Sequence, residues 1–203
     1  MPMDTAADAG TGLTRADRAW RALLIAAALW GSWLLMMVFH ELSHATFGWL
    51  SGARVTAMML GPHIISQTIL DPNPHPLLVA WGGPLLGSGL PLALWGLLAA
   101  LRSKRAYLGR FLAAFCLVAN GAYIGVGALT LAGDAGDMYL YDCPRWVMGL
   151  FGLVASATGF WLWHRQGRFF GVGPDARPVS RADALGVLVL ALAVAGTELA
   201  FFS

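Results

Sequence analysis

Of the 203 residues, 58% are hydrophobic and only 12% charged, with a mean hydropathy of +0.64, which excludes a soluble domain with an ordinary polar surface. The net charge of +2 and the lack of any long Lys/Arg block exclude a surface that tracks a phosphate backbone, so no nucleic-acid partner is expected. Cys116 in an apolar run and Cys143 in a short polar stretch do not form a disulfide framework.

Residues 1–14 are polar and rich in Gly, Ala and Asp, and are predicted to form a disordered tail; residues 15–203 are predicted to form a single transmembrane domain. About 20 apolar residues cross the hydrocarbon of a bilayer. Five runs approach that length: Trp20 to Phe47, Leu77 to Leu101, Phe111 to Leu131, Val147 to Trp163 and Ala184 to Phe202. The first is too long for a secretory signal and is expected to remain in the mature protein. The fold class predicted is therefore an all-α polytopic membrane protein of about five transmembrane helices, with the lipid bilayer as its solvent. A short strand-like segment follows the first helix: Ala53 to Leu70 is rich in Val, Ile, Thr and Met and is interrupted by Gly61-Pro62. Asp71 to Pro76 then reads as a stiff, turn-rich connector. Gly82-Gly83-Pro84 and Gly87-Ser88-Gly89 give the second run flat surfaces for close helix packing. Glu198, near the end of the last run, is expected to reach the membrane interface.

Basic residues near the ends of spans tend to stay cytoplasmic. Eleven of the 13 Lys and Arg fall before or at the very start of the first run, between the second and third, or between the fourth and fifth; only Arg54 and Arg145 fall on the other side. This distribution predicts the N-terminus inside and the C-terminus outside, in a bacterial cytoplasmic (inner) membrane.

The chemistry is concentrated at His40-Glu41-Leu42-Ser43-His44. Helix positions i and i+4 share a face, so the two imidazoles can meet one zinc ion with Glu41 beside it. An ionisable cluster at the end of an apolar helix is costly unless it is paired or functional. Catalytic zinc takes three protein ligands and leaves a position open for water, so a third donor is needed. Asp134 and Asp137 follow the third run, which is predicted to run parallel to the first, and both finish at the same face as the histidines. His63 and His75 are weaker candidates from the first loop.

These residues resemble the site-2 protease family of intramembrane zinc metallopeptidases, including its small bacterial members. The resemblance covers about residues 38–140. It rests on the His40-Glu41-x-x-His44 helix, Gly52-Ala53-Arg54-Val55 leading into Gly61-Pro62, the Gly82-Gly83-Pro84-Leu85 turn, and Asp134-Ala135-Gly136, which is similar to the family's Leu-Asp-Gly element with Ala in place of its glycine. The Asn-Pro pair often found upstream of that element is missing, and Asn120 is the nearest polar residue in its span. The resemblance implies His40, His44 and Asp134 as ligands of Zn2+, Glu41 as the catalytic base, and a membrane protein or peptide as substrate. It also implies a zinc nearer the cytosolic face, whereas the charge distribution puts the motif toward the outer face. Two rival functions use the same residues: a non-catalytic scaffold or accessory subunit of a membrane complex, or oligomer, that retains the fold, and a transporter using the His/Asp cluster. The transporter lacks the expected paired broken helices and matching halves.

Overall fold

The computed structural model describes residues 14–202, so the tail expected to be disordered lies outside the described residues apart from Thr14. Thr14 begins the first helix. Its hydroxyl accepts from the Asp17 amide while the Asp17 carboxylate accepts from the Thr14 amide and hydroxyl, a reciprocal cap. The helix it starts, α1, runs unbroken from Arg15 to Leu50, 36 residues or roughly 54 Å at 1.5 Å per residue. That exceeds the hydrocarbon thickness, so α1 must tilt or extend out of the bilayer at one end or both.

After a glycine with positive φ at Gly52, strands β1 (Val55–Met59) and β2 (Gln67–Leu70) form an antiparallel hairpin, with Met58 opposite Thr68 and a register irregularity between Val55 and Ala57. The hairpin is followed by α2 (Pro76–Ala100), α3 (Ala106–Thr130), a seven-residue helix α4 (Asp134–Leu140), α5 (Arg145–Trp163), a 3-10 turn (Gly167–Phe170) and α6 (Arg181–Phe201). Helices α1, α2, α3, α5 and α6 are each long and apolar enough to cross a membrane. The protein is thus an integral membrane protein of five apolar helices with a short two-stranded sheet after the first.

Small residues bring the helices together. Apolar side chains gain little by leaving lipid for a neighbouring helix, so close backbone approach and van der Waals contact must supply the attraction. Helices α3 and α5 cross where Gly125 faces Gly152, and a Cβ on Gly152 would stand 2.5 Å from the Gly125 Cα. From that crossing toward the start of α3, Gly121 meets Ala155 and Ser156 and then Gly159 meets Ala114 and Val118, so the pair is antiparallel. Helices α1 and α6 run parallel. Leu24 and Ala28 pack near Ala184, Gly31 meets Ala191, and Leu34 and Met37 share a cluster with Ala195. Trp81 packs edge-on against Phe151 and joins α2 to α5.

Glu198 departs from its expected interfacial place. It is 1% exposed, and neither carboxylate oxygen has a partner among the described residues. The parallel packing of α6 on α1 turns this position inward, next to the Leu34, Met37, Leu60 and Ala195 cluster.

Gly152→Ala should therefore force α3 and α5 apart and destabilise the purified protein by about 1–3 kcal/mol, as overpacked sites do. Gly149→Ala, whose Cβ would meet nothing within 4 Å, should leave stability unchanged or slightly raised; unfolding of the two variants in the same detergent checks the difference.

Candidate metal centre

The two histidines of α1 are buried, at 7% and 6% exposure, and their rings meet edge to face with centroids 4.7 Å apart. Each is oriented through its outer nitrogen. His44 Nδ1 lies 2.8 Å from the Val79 carbonyl on α2, an oxygen that can only accept, so this nitrogen carries a proton. His40 Nδ1 lies 2.7 Å from Asn120 Oδ1 on α3. The Asn120 amide donates to the Cys116 carbonyl at 3.0 Å, which fixes Oδ1 toward His40 and makes His40 Nδ1 the donor. Both imidazoles are therefore held in the tautomer that presents an Nε2 lone pair, the arrangement by which a histidine ligand is aimed.

Both lone pairs point at the same place. His40 Nε2 and His44 Nε2 are 3.0 Å apart, and Asp134 Oδ2 stands 2.8 Å from the first and 3.1 Å from the second. Among the described residues this is the one group of three or more His, Cys, Asp or Glu side chains whose ligand atoms converge. Three acceptor atoms at such separations repel one another in a low dielectric unless a cation or shared protons lie among them. Donors on a tetrahedral zinc at about 2.0–2.1 Å would be spaced by roughly 3.3 Å, so these side chains would hold the ion after spreading apart by a few tenths of an ångström. The donor set of two imidazoles and one carboxylate matches that of open catalytic zinc sites.

Asp134 owes its position to a break in the chain. Leu131 adopts a left-handed conformation at the end of α3 and Gly133 has φ +57°, so the chain reverses and α4 starts at Asp134 itself. Gly133 has no alternative residue, since a Cβ there would lie 2.0 Å from the Tyr123 hydroxyl. That hydroxyl accepts from the Asp134 amide at 3.1 Å. Next in line, Ala135 is fully buried against Gly127, whose absent Cβ would come within 2.6 Å of it; the alanine at this place is accommodated by the glycine opposite. Gly136 sits against the Leu131 carbonyl, 2.6 Å from where its Cβ would be. Partial burial and then the negative charge of Asp134 push the Asp137 carboxyl above the ordinary carboxylate range.

Glycines on α2 make room for the cluster. A Cβ on Gly83 would lie 2.3 Å from His44 Nε2 and 2.8 Å from His40 Nε2, and one on Gly87 would lie 3.1 Å from the His40 Cα. Gly82 does the same for Phe47. What reads in the sequence as a helix-packing surface is the wall of the histidine pair.

The structure thus brings His40, His44 and Asp134 together and leaves Asp137 beside them, lining the same cleft but outside the cluster. His63 and His75 are exposed and do not join it. Glu41 is 3% exposed and faces the hairpin. The cleft has a volume of about 940 Å³ and is walled by α1, β2, α2, α3 and α4. Sequence reasoning noted Asn120 without giving it a role and passed over Tyr123. The available signal was a lone Asn in an apolar span, followed one turn later by Tyr on the same face.

Loss of the outer hydrogen bond should loosen the cluster without removing a donor. Asn120→Ala is expected to weaken zinc affinity about 10–100-fold and Gly83→Ala to weaken it further, both measured by competition with a chromophoric chelator in detergent.

The profile of the Peptidase M50B-like family matches residues 19–155. No curated protein and no solved structure matches the chain. The matched stretch spans α1 through the middle of α5 and contains the whole histidine–aspartate cluster; the chain belongs to the Peptidase M50B-like family and is a member of the site-2 protease group of membrane metallopeptidases.

Proposed function

We propose that this protein is an intramembrane zinc metalloprotease that hydrolyses peptide bonds of membrane-associated proteins or peptides. The observation that carries this reading is the convergence of His40 Nε2, His44 Nε2 and Asp134 Oδ2 within a cleft that also contains Glu41. His40, His44 and Asp134 would hold the metal. Zinc bound there supplies a Lewis acid, which makes water acidic near neutral pH and polarises a carbonyl.

The chain's own residues do the rest. Glu41 takes a proton from the attacking water and returns it to the departing amine, so the peptide C–N bond breaks as the new C–O bond forms and the proton count balances. Asn120 and the Val79 carbonyl keep the imidazoles in the donor tautomer throughout. A transmembrane helix keeps its carbonyls in backbone hydrogen bonds, so a substrate must unwind before it can be attacked. β2 pairs with β1 on one side only, and residues 65–70 line the cleft. The free edge of β2 is where an unwound segment would add as a strand, its backbone satisfied by the hairpin while its carbonyl reaches the site.

If Glu41 has this role, Glu41→Gln should retain zinc at wild-type stoichiometry and lose about 10²–10⁴-fold in turnover. Metal analysis alongside cleavage of a transmembrane peptide in proteoliposomes measures both, and undiminished turnover removes Glu41 from the mechanism.

The distribution of basic side chains supports a bacterial inner-membrane protein with its N-terminus inside. The Arg-rich ends of α1, α2–α3 and α5–α6 share one face, and the cleft lies toward the other. In intact cells a membrane-impermeant maleimide should label Ile65→Cys and spare Lys104→Cys until the membrane is opened. The reverse pattern would invert the topology and place the site on the cytosolic side.

A further inference from the structure

Of the three ionisable side chains in the helix motif, Glu41 is the one held by the hairpin rather than by the helices. Its Oε1 accepts from the Ser66 hydroxyl at 2.7 Å and its Oε2 from the Thr68 hydroxyl at 2.6 Å. Thr68 Oγ1 also lies 3.3 Å from the Glu41 carbonyl. Residues two apart on an extended strand share a face, so Thr68 and Leu70 share one face of β2, and Ser66, just before the strand, continues their row toward Glu41. Leu70 ends that row against Gly48, where a Cβ would stand 2.1 Å from its methyl. The row therefore follows α1 from Glu41 to Gly48, in contact with the helix at both ends.

We propose that Ser66 and Thr68 are positioning residues: a pair of hydroxyls that grips both oxygens of Glu41 and locks the base to the strand on which substrate is laid. A glutamate has several freely rotating bonds, and an unrestrained carboxylate beside a divalent cation would swing over to ligate it and fill the position that water needs. Two neutral donors, one per oxygen, hold the carboxylate aside without adding a counter-charge, and each oxygen keeps a lone pair for the proton it must accept. Because Thr68 lies on β2 and Ser66 immediately precedes it, the edge that would receive an extended segment and the group that takes the proton belong to one frame. The role in turnover rests on the reading of Glu41 as the base.

The test compares Ser66→Ala/Thr68→Val with the hydroxyl-retaining Ser66→Thr and Thr68→Ser in the full-length protein in nanodiscs. Hydrogen exchange of the hairpin amides reports the clamp without recourse to activity. The double variant and Glu41→Ala should each speed exchange across residues 55–70, and combining them should add nothing more. In cleavage assays the double variant should lose about 10–100-fold in kcat with KM within about 2-fold and zinc content unchanged, and the hydroxyl-retaining variants should recover most of the rate. Unaltered hairpin exchange in the double variant overturns the clamp whether or not the protein cleaves anything. Faster exchange with wild-type kcat overturns the positioning role. If exchange responds as described but the wild type cleaves no peptide, the clamp stands and the peptidase reading falls.

Discussion

Two imidazole lone pairs and a carboxylate oxygen pointed at one spot inside an apolar bundle form the constraint around which this protein is arranged. In water such a trio would drift apart. Here each member is pinned from behind: His44 by a carbonyl of α2, His40 by an amide on α3 and Asp134 by the phenol of Tyr123 at its backbone. A cation at their centre would relieve the repulsion among the three, and the contacts behind them keep them in place to receive it.

That arrangement explains the distribution of glycine better than packing alone does. Gly83 leaves the space the two imidazoles fill, and Gly133 leaves the space the Tyr123 hydroxyl fills. Gly127 makes way for Ala135. At the α3–α5 crossing, glycine serves a different end, holding the two backbones close enough for dispersion to replace the hydrophobic effect that lipid removes. The same residue type thus shapes the histidine–aspartate cluster on one side of α3 and cements the bundle on the other.

Much of this was legible in the chain. The five spans follow from run length, because the hydrocarbon thickness sets how many apolar residues a helix needs. The motif on α1 follows from the i, i+4 spacing. What escaped depends on contacts between distant segments. The seven residues of α4 are too few for periodicity to declare a helix. Asn120 looked like an isolated polar residue until its partner, 80 positions earlier in the chain, stood beside it. Ser66 and Thr68 have the polar alternation of any surface strand, and only the docking of β2 on α1 turns their hydroxyls to Glu41. Glu198 was misplaced for a similar reason, since its depth is decided by which side of α6 meets α1.

The 94 positions between His40 and Asp134 bear on how the protein is made. A nascent chain that has threaded only α1 and α2 into the bilayer offers two nitrogens and no oxygen, and two donors hold a divalent ion far more weakly than three. Metal capture there would therefore wait until α3 has crossed and the turn at Leu131 has brought α4 back, so the three-donor cluster is completed only after most of the bundle has been inserted.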